Sequence, residues 1–315
     1  MKLTRAEAAA WLESHDRYAI LTHRRPDGDT IGSAAVLCRM LRSMGKSAHV
    51  LENPEITPKY RSLFFGLTKP AAEEGDTIVC TDVASPGMLP KCFEAHLGRI
   101  ALRIDHHGSA TSFTEAELVD PDAAACAEIL FDLMRLLELP LDKPTAEALY
   151  TAVSTDTGCF RYANTNAHSY LTAAACAEAG ADIFPINQAL FDTNSFAKLR
   201  IQGWITENTQ FFQDGKFALC ALPLAVEKEL GVTEDDMENI SGFPRSIEGV
   251  CVAATLREQP DGLVKISVRA VPGYDAAAIC EKFGGGGHKG AAGANIHLPL
   301  ELAAKAVEAV LREQN

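Results

Sequence analysis

The chain has 315 residues, about twice the length of a typical single domain, so two domains are expected. Its composition, 47% hydrophobic and 23% charged, is that of a globular protein and excludes a largely disordered chain. The net charge of −13 disfavours binding along long nucleic acids, which requires the neutralisation of many phosphates. No stretch approaches the roughly 18 apolar residues of a membrane span, and charges interrupt the N-terminal helical pattern, unlike in a signal peptide. We therefore expect a cytoplasmic protein.

The first half of the chain alternates short β-rich runs with helical patterns. Strands are predicted in "YAILTH", "SAHVLE", "TIVCTD" and "RIALRID", and helices near residues 30–44 and 59–65. This alternation predicts a parallel sheet with helices on both faces. Three of the runs end in ligand-type residues, at His23, Asp82 and 105–107. Because ligands bind beyond the carboxyl ends of strands in such sheets, these side chains are expected on one rim.

The second half of the chain changes from helical to β-rich. Helical patterns dominate from residue 122 to about 208. The runs "GKFALCALP", "GVCVAATLRE" and "LVKISVRAV" then predict strands, followed by a glycine loop, a short strand "ANIHL" and a last helix. We predict an N-terminal domain over residues 1–195, a connector helix over 196–214 and a smaller C-terminal α/β domain over 215–315.

The segment "THRRPDGDTIGS" places one imidazole and two carboxylates, His23, Asp27 and Asp29, between a buried strand and a helix. One interpretation is a turn around Gly28 with Asp29 as the helix N-cap. The other is a ligand set, because one imidazole and two carboxylates are spaced around a glycine, which leaves the rim free of a further side chain.

Two further aspartates lie at the ends of predicted elements. Asp82 follows a β-rich run and is expected at the mouth of a central strand, either as a ligand or as a turn acid. Asp156 shares a helix face with Leu149 and Val153, and a carboxylate on an apolar face needs a compensating charge or hydrogen bonds. An arginine or backbone N–H partner would also satisfy Asp156.

Taken together, these positions predict a cluster of four carboxylates and two imidazoles. Its members are His23, Asp27, Asp29, Asp82, His106 and Asp156. Carboxylates within about 4 Å of one another repel by several kcal/mol per pair, so the cluster needs cations. Two divalent ions would cancel the four charges, and oxygen-rich ligation with some imidazole favours Mn or Mg over a closed Zn site.

The segment "KFGGGGHKGAAGANIHL" contains the spacing GxGxxG at Gly285, Gly287 and Gly290. A dinucleotide site is disfavoured because the glycines follow a predicted helix and no acidic residue lies about 20 positions downstream. A Walker loop is excluded because Lys289 precedes Gly290 instead of following it. A flexible linker is the remaining alternative to a binding function.

A phosphate or carboxylate site explains this glycine segment better. The backbone N–H groups of Gly285, Gly286 and Gly287 can bind an anion, and His288 and Lys289 add positive charge. Arg269, at the end of a predicted strand, either adds a bidentate phosphate contact or faces solvent.

Six segments of the chain, taken in order, resemble motifs of the DHH phosphoesterase family. They are "HRRPDGDTIGS", "TD", "DHH", "TDTGCFRYANT", "PRSIEGV" and "GGGGHKGAAG". The resemblance covers nearly the whole chain. It is to the subgroup that carries a DHH and a DHHA1 domain and includes nanoRNases and pAp phosphatases. It implies a parallel-sheet DHH domain, a smaller DHHA1 domain and an active site in the cleft between them.

The resemblance also implies roles for the motif residues. His23, Asp27 and Asp82 would hold one Mn ion. Asp82 would bridge to a second ion, whose other ligands are Asp29, His106 and Asp156. His107 would face the scissile phosphate or the leaving group, and Asp105 would orient its neighbours.

The activity implied is hydrolysis of short oligoribonucleotides to 5′-mononucleotides and of pAp to AMP and phosphate. Water would attack phosphorus in line, both ions would stabilise the developing charge, and no nucleophilic side chain is required. The glycine loop, His288 and Arg269 would hold the terminal phosphate and nucleotide. Mn is the expected metal, with Mg or Co as alternatives, and the resemblance favours a homodimer.

Two other functions remain open. One is a phosphodiesterase for linear or cyclic dinucleotides such as pGpG, pApA or cyclic di-AMP, which would use the same metals. The other is a nucleotide-sensing binding protein with a structural metal cluster. The chain departs from the subgroup in "GSATS" after the DHH motif and in Ala270 after Arg269, which leaves the substrate preference open.

Overall fold

The computed structural model describes residues 1–108, 111–237 and 240–314. Two residues of the "GSATS" motif, Ser109 and Ala110, therefore lie outside the described residues. The chain divides into two compact units, Met1–Thr193 and Asn194–Asn315. In the described part of the chain, no helix combines the length and the apolar character needed to cross a membrane.

The first unit is built on a six-stranded, wholly parallel sheet. Its strands are β1 (Tyr18–Leu21), β2 (Ala48–Leu51), β3 (Thr68–Lys69), β4 (Thr77–Thr81), β5 (Ile100–Asp105) and β6 (Ala116–Val119). The order across the sheet is β3-β2-β1-β4-β5-β6, and each neighbouring pair is parallel. The chain leaves β1 and β4 toward opposite edges, so these two strands form the topological switch point at which such sheets bind ligands.

One face of this sheet packs against α-helices. The helices of the unit are α1 (Arg5–Ser14), α2 (Gly28–Ser43), α3 (Cys126–Leu136), α4 (Lys143–Asp156), α5 (Ala167–Glu178) and α6 (Ile183–Asn187), followed by a π-helical turn, Gln188–Asp192. Strand residues such as Ile20, Val50 and Leu102 share one apolar core with residues of α1 to α4. The predicted helix at residues 59–65 is a 3₁₀ helix, Pro58–Phe64.

The opposite face differs from the prediction of helices on both sides. Leu21 and Cys80 pack there against Leu89 and Phe93, which lie in or beside the 3₁₀ helices Pro86–Met88 and Lys91–Arg99. Pro86 begins the first of these helices, and Pro90 lies between them, where it lacks the backbone N–H that one continuous α-helix would need. The sheet is therefore buried on both faces, but in the described part of the chain α-helices cover only one of them.

Helices α2 and α4 approach closely at Gly32. A Cβ atom on Gly32 would lie 2.5 Å from the carbonyl oxygen of Ala148 and 2.7 Å from the Cβ of Ala152. We expect Gly32→Ala to lower the free energy of unfolding by about 1–3 kcal/mol, because an added methyl in a packed interior forces the backbone apart. Urea denaturation followed by circular dichroism measures this change.

A matched control is Gly203→Ala, in a helix of the second unit. A Cβ at Gly203 meets no atom within 4 Å, so this change should be neutral or stabilise by up to about 1 kcal/mol through helix propensity. Equal effects of the two substitutions would contradict the packing argument at Gly32.

The second unit is a mixed sheet with helices. Its helices are α7 (Phe196–Asn208), α8 (Leu224–Leu230), α9 (Ala276–Glu281) and α10 (Leu300–Arg312), with a 3₁₀ helix, Ile240–Ser246. Its strands are β7 (Gln210–Phe212), β8 (Phe217–Leu222), β9 (Val252–Glu258), β10 (Val264–Ala270), β11 (Gly286–His288) and β12 (Ala291–Ile296). The order is β11-β12-β10-β9-β8-β7, in which only the β8–β9 pair is parallel.

The predicted glycine loop is partly a strand. Gly286–His288 forms β11 and pairs with β12, which begins at Ala291, three residues before the predicted "ANIHL" strand. A Cβ on Gly285 would lie 2.2 Å from the carbonyl oxygen of Gly293, so only glycine permits this approach of the two segments.

The helix predicted as a connector, α7, packs within the second unit. Its Ile201 and Ile205 are buried in a core with Cys220, Leu222 and Ile240. The division into residues 1–195, 196–214 and 215–315 stays a prediction.

Candidate metal centre

The carboxyl ends of three neighbouring strands bring the predicted rim residues together. His23 lies two residues beyond β1, Asp82 follows β4 directly, and His106 follows β5 directly. Because β1, β4 and β5 are adjacent and parallel, these side chains meet at one edge of the sheet. This edge includes the switch point between β1 and β4.

Helix α2 contributes the two carboxylates of the "PDGD" segment. Asp27 is the N-cap of the helix, and its Oδ1 accepts a hydrogen bond from the backbone N–H of Thr30 at 3.0 Å. Asp29 lies in the first turn and is completely buried. The alternative interpretation of Asp29 as the N-cap is therefore wrong, because Asp27 caps the helix.

Asp82 is the centre of the cluster. Its Oδ2 lies 3.6 Å from Nε2 of His23, and its Oδ1 lies 3.6 Å from Nε2 of His106 and 3.4 Å from Nδ1 of His107. The Asp82 backbone has a φ of 58°, in the left-handed region that aspartate and asparagine tolerate better than most residues. This backbone turn aims the carboxylate at the three imidazoles.

Within the described ranges of the chain, three groups of side chains bring potential ligand atoms within 4.8 Å of one another. These groups are His23, Asp27 and Asp82; Asp29, His106 and Asp156; and Asp82, His106 and His107. The first group contains the three residues predicted to hold one ion. The second group contains the residues predicted to hold the other ion, except the bridging Asp82. The third group adds His107, which the resemblance assigns to the substrate, so the division of roles stays a prediction.

The hydrogen bonds of His23 and His106 determine the orientation of both rings. Nδ1 of His23 donates to the carbonyl oxygen of Arg24 at 2.7 Å, and Nδ1 of His106 donates to that of Ala123 at 3.1 Å. A carbonyl oxygen only accepts, so in each neutral ring the lone pair is on Nε2, which faces the carboxylates. Metal-ligating histidines characteristically donate their second nitrogen to such a partner.

His107 has a different partner. Its Nδ1 donates to Oδ1 of Asp105 at 2.8 Å, and the same oxygen accepts from the backbone N–H groups of His106 and His107 at 2.9 and 3.3 Å. The hydrogen bond to Asp105 raises the pKa of His107 to about 9, against the opposing effect of its partial burial. Oδ1 of Asp105 therefore binds three N–H groups of the two histidines, and the predicted orienting role of Asp105 stays a prediction.

The electrostatics of the cluster fit a cation. Burial, followed by the charge of Asp82, raises the pKa values of Asp29 and Asp156 well above their usual range. Burial also opposes ionisation of Asp82, but the neighbouring imidazoles, His23 foremost, lower its pKa overall. Oδ1 of Asp82 is buried and has no hydrogen-bond partner among the described residues. A divalent ion would relieve the repulsion and satisfy this oxygen.

The structure adds supporting contacts that the sequence analysis missed. The hydroxyl of Thr30 donates to Oδ2 of Asp82 at 2.6 Å, and that of Ser33 donates to Oδ1 of Asp29 at 2.8 Å. The helical spacing of Ser33 from Asp29, four residues, is the signal that could have identified the second bond. The backbone N–H groups of Cys126 and Ala127, at the start of α3, also donate to Asp29, at 2.6 and 3.1 Å.

In the second unit, the sheet register aligns two of the predicted substrate residues. Arg269 of β10 and His288 of β11 both lie opposite Ala291 of β12. Directly opposed residues point to the same face of a sheet, so Arg269 and His288 share a face. Lys289 follows β11, and its carbonyl oxygen accepts from the backbone N–H of Ala276 at the start of α9. Contact with substrate stays a prediction for all six residues of this unit that the sequence singles out, namely Gly285, Gly286, Gly287, His288, Lys289 and Arg269.

Comparison with known proteins agrees with this architecture. Residues 17–153 match the model of the DHH family N-terminal domain, and residues 218–313 match that of the DHHA1 domain. A Thermus thermophilus protein named bifunctional oligoribonuclease and PAP phosphatase NrnA is 33% identical over 94% of this chain and 89% of its own length.

Two other relatives are informative. The crystal structure of an exopolyphosphatase-related protein from Bacteroides fragilis superimposes with a TM-score of 0.85 and 26% identity, covering 98% of this chain and 95% of that one. The cyclic-di-AMP phosphodiesterase PdeA of Listeria monocytogenes is 24% identical over 87% of this chain but only 44% of its own length.

The first unit has a parallel sheet with carboxylates and imidazoles clustered at its switch point, and the second unit has a mixed sheet. Together with the two domain matches, these features place the chain in the class of two-domain DHH proteins. This chain belongs to the DHH family, and it carries both a DHH and a DHHA1 domain.

Proposed function

We propose that this protein is a metal-dependent phosphoesterase that hydrolyses short oligoribonucleotides to 5′-mononucleotides and pAp to AMP and phosphate. The observation that carries the proposal is the convergence of Asp82 with three further carboxylates and two imidazoles at the switch point of the sheet. The two activities are those in the name of the Thermus thermophilus relative, which is similar along nearly the whole chain.

We assign the ligand atoms to two sets, one for each of two metal ions. His23, Asp27 and Asp82 would hold one ion, and Asp82 would be shared with a second set formed by Asp29, His106 and Asp156. When bound, such ions stabilise the negative charge that develops on a phosphoryl group and lower the pKa of water. The predominance of oxygen ligands favours Mn, with Mg or Co as alternatives.

His107 and Asp105 form the second part of the proposed mechanism. The bond from Nδ1 of His107 to Asp105 leaves Nε2 as the nitrogen available to substrate. With both nitrogens protonated, the ring would donate from Nε2 to a phosphate oxygen or to the leaving oxygen. Asp105 would stabilise the charge on the ring and restrict its rotation.

The second unit would supply the contacts that select short substrates. Arg269 and His288 share a sheet face, where they would bind a terminal phosphate, with Lys289 adding charge. The backbone N–H of Gly285 already donates to the carbonyl oxygen of Cys280. The N–H groups of Gly286 and Gly287 would therefore be the further donors, where they are not used by the β11–β12 pairing. The net charge of −13 is unfavourable for long nucleic acids, so activity on them is not expected.

We also propose that the protein is a cytoplasmic homodimer. Light scattering of the purified protein after size-exclusion chromatography would test the oligomeric state, for which a mass of one chain, 33.9 kDa, would exclude the dimer.

The decisive experiment compares several substrates in the presence of Mn²⁺. The purified protein is incubated with pAp, pGpG, cyclic di-AMP and a long RNA, beside the Asp82→Asn variant. Turnover of pAp and pGpG that disappears in the variant is the expected result. Faster turnover of cyclic di-AMP than of pAp would favour the dinucleotide phosphodiesterase, the activity named for the Listeria relative. Tight nucleotide binding with no turnover would support a sensing protein and overturn the proposal.

A further inference from the structure

Arg103 is a buried cation in the middle of the first sheet. It lies on β5, its side chain is only 1% exposed, and it is among the largest fully buried side chains of the described residues. Arginine is rarely buried completely unless it is paired with acidic groups. Two such groups lie beside it: Asp105, two residues along the same strand, and Glu117, directly opposite on β6.

The guanidinium of Arg103 is held on several sides. Its Nη1 donates to the carbonyl oxygens of Val83 and Ala84 at 3.2 and 3.1 Å, and its Nη2 lies 3.2 Å from Oε1 of Glu117. The ring of Phe113 lies 5.0 Å from the guanidinium carbon, a cation–π contact. Because the group is planar, these contacts determine where its remaining N–H groups point.

The two oxygens of Asp105 have separate partners. Oδ2 lies 3.5 Å from Nη1 of Arg103, whereas Oδ1 accepts from Nδ1 of His107 and from two backbone N–H groups. Oδ2 makes no hydrogen bond among the described residues, and Nη1 of Arg103 donates instead to the two carbonyl oxygens, so Arg103 attracts Oδ2 by charge alone. Arg103 thus lies beside the far oxygen of the Asp105 carboxylate, while the near oxygen binds His107.

We propose that Arg103 is a positioning residue for His107, acting through Asp105. The positive charge of Arg103 attracts Oδ2 and so opposes rotation or displacement of the buried carboxylate, which keeps Oδ1 in line with Nδ1 of His107. The imidazole then keeps one orientation, with Nε2 available to substrate. The catalytic consequence rests on the proposed function, whereas the hydrogen-bond geometry does not.

A purely structural role for Arg103 is the competing explanation. In that case Arg103 would serve only to neutralise Glu117, whose own burial raises its pKa while a hydrogen bond from Ser112 and the charge of Arg103 lower it overall. The two explanations differ in what happens when both members of this cross-strand pair are replaced. Removing both charges eliminates the unpaired acid at residue 117 but still deprives Asp105 of its partner.

The experiment therefore uses three variants: Arg103→Met, Glu117→Gln and the double variant. We expect kcat for pAp hydrolysis to fall about 10- to 100-fold in both variants that lack Arg103, with KM changed less than about threefold, as for other residues that orient a reacting group. Glu117→Gln should retain nearly normal kcat. Thermal stability should be lowest in Arg103→Met and should recover in the double variant.

Recovery of normal kcat together with stability in the double variant would overturn the proposal. If Arg103→Met does not fold, the comparison of kcat between the double variant and Glu117→Gln still tests the proposal. Arg103→Lys adds a check on geometry, because an ammonium retains the charge but not the planar fork. Its kcat should lie between those of the wild type and of the double variant.

A spectroscopic measurement tests the geometry without substrate. In the Mg²⁺-loaded protein, the Nδ1 proton of His107 should give a strongly downfield proton resonance, assigned by its absence in His107→Asn. We expect this resonance to persist in Glu117→Gln and to vanish or move upfield in the double variant. An unchanged resonance in the double variant would refute the role of Arg103. The resonance is measured without substrate, so it tests the role of Arg103 even if pAp proves not to be a substrate. Failure of the proposed function and failure of the Arg103 proposal are therefore distinguishable.

Discussion

Asp82→Asn is expected to lower the turnover of pAp and of short oligoribonucleotides by about 10³-fold or more. Among the residues that the structure describes, Asp82 is the one carboxylate close to His23, His106 and His107 at once, and it is shared between the two proposed ligand sets. Loss of several kcal/mol of charge stabilisation corresponds to this reduction in rate. Asparagine has the same shape and tolerates the left-handed backbone at this position, so the effect reports the lost charge.

The matched control for this prediction is Asp76→Asn. Asp76 immediately precedes β4, whereas Asp82 immediately follows it, so the two residues flank opposite ends of one strand. Asp76 is also buried, and its carboxylate oxygens lie 3.6 Å from Nε2 of His49 and from Nη2 of Arg17. We expect Asp76→Asn to reduce stability but to leave kcat nearly unchanged. Equal losses of turnover in the two variants would contradict the central role of Asp82.

Divalent metal is expected to raise the melting temperature of the wild-type protein by about 5–10 °C. A ligand present at 100 times its dissociation constant stabilises the folded state by about 2.7 kcal/mol. A domain of this size gains roughly 2–4 °C per kcal/mol. The gain would arise because the cations offset the repulsion among the carboxylates of Asp29, Asp82 and Asp156. Differential scanning fluorimetry with Mn²⁺, Mg²⁺ or a chelator measures it.

Two variants test whether the rise in melting temperature depends on the carboxylates of the cluster. Asp29→Asn removes one fully buried carboxylate of the cluster and should reduce the shift strongly, whereas Asp76→Asn should keep it. No shift in the wild type at millimolar Mn²⁺ would argue against a metal centre even if nucleotide binding were observed. Comparison with the turnover data then separates metal binding from catalysis, because a variant can retain the thermal shift and still lose kcat.

Much of the candidate site was predictable from the sequence because its residues occupy regular places in the chain. Polar residues that directly follow apolar β-rich runs, such as Asp82 and His106, lie at the carboxyl ends of parallel strands. Asp156 ends a helix whose apolar face includes Leu149 and Val153, as its spacing predicted. The family motifs, read in order, predicted the two domain types that the comparisons confirm.

Other features depend on contacts between distant parts of the chain. Asp29 is bound by the backbone N–H of Cys126, 97 residues away, and a backbone donor leaves no trace in residue identity. The pairing of Arg103 with Glu117 depends on the register of β5 and β6, which local patterns do not specify.

The sequence by itself determined the alternation of elements, the family and the six candidate ligands, because periodicity and motif spacing are local properties. Only the tertiary structure decided that 3₁₀ helices cover one face of the sheet, that Gly286–His288 joins a sheet, and that Arg103 lies beside Asp105. These outcomes depend on which strands become neighbours and in which register, and both are set by packing over the whole domain.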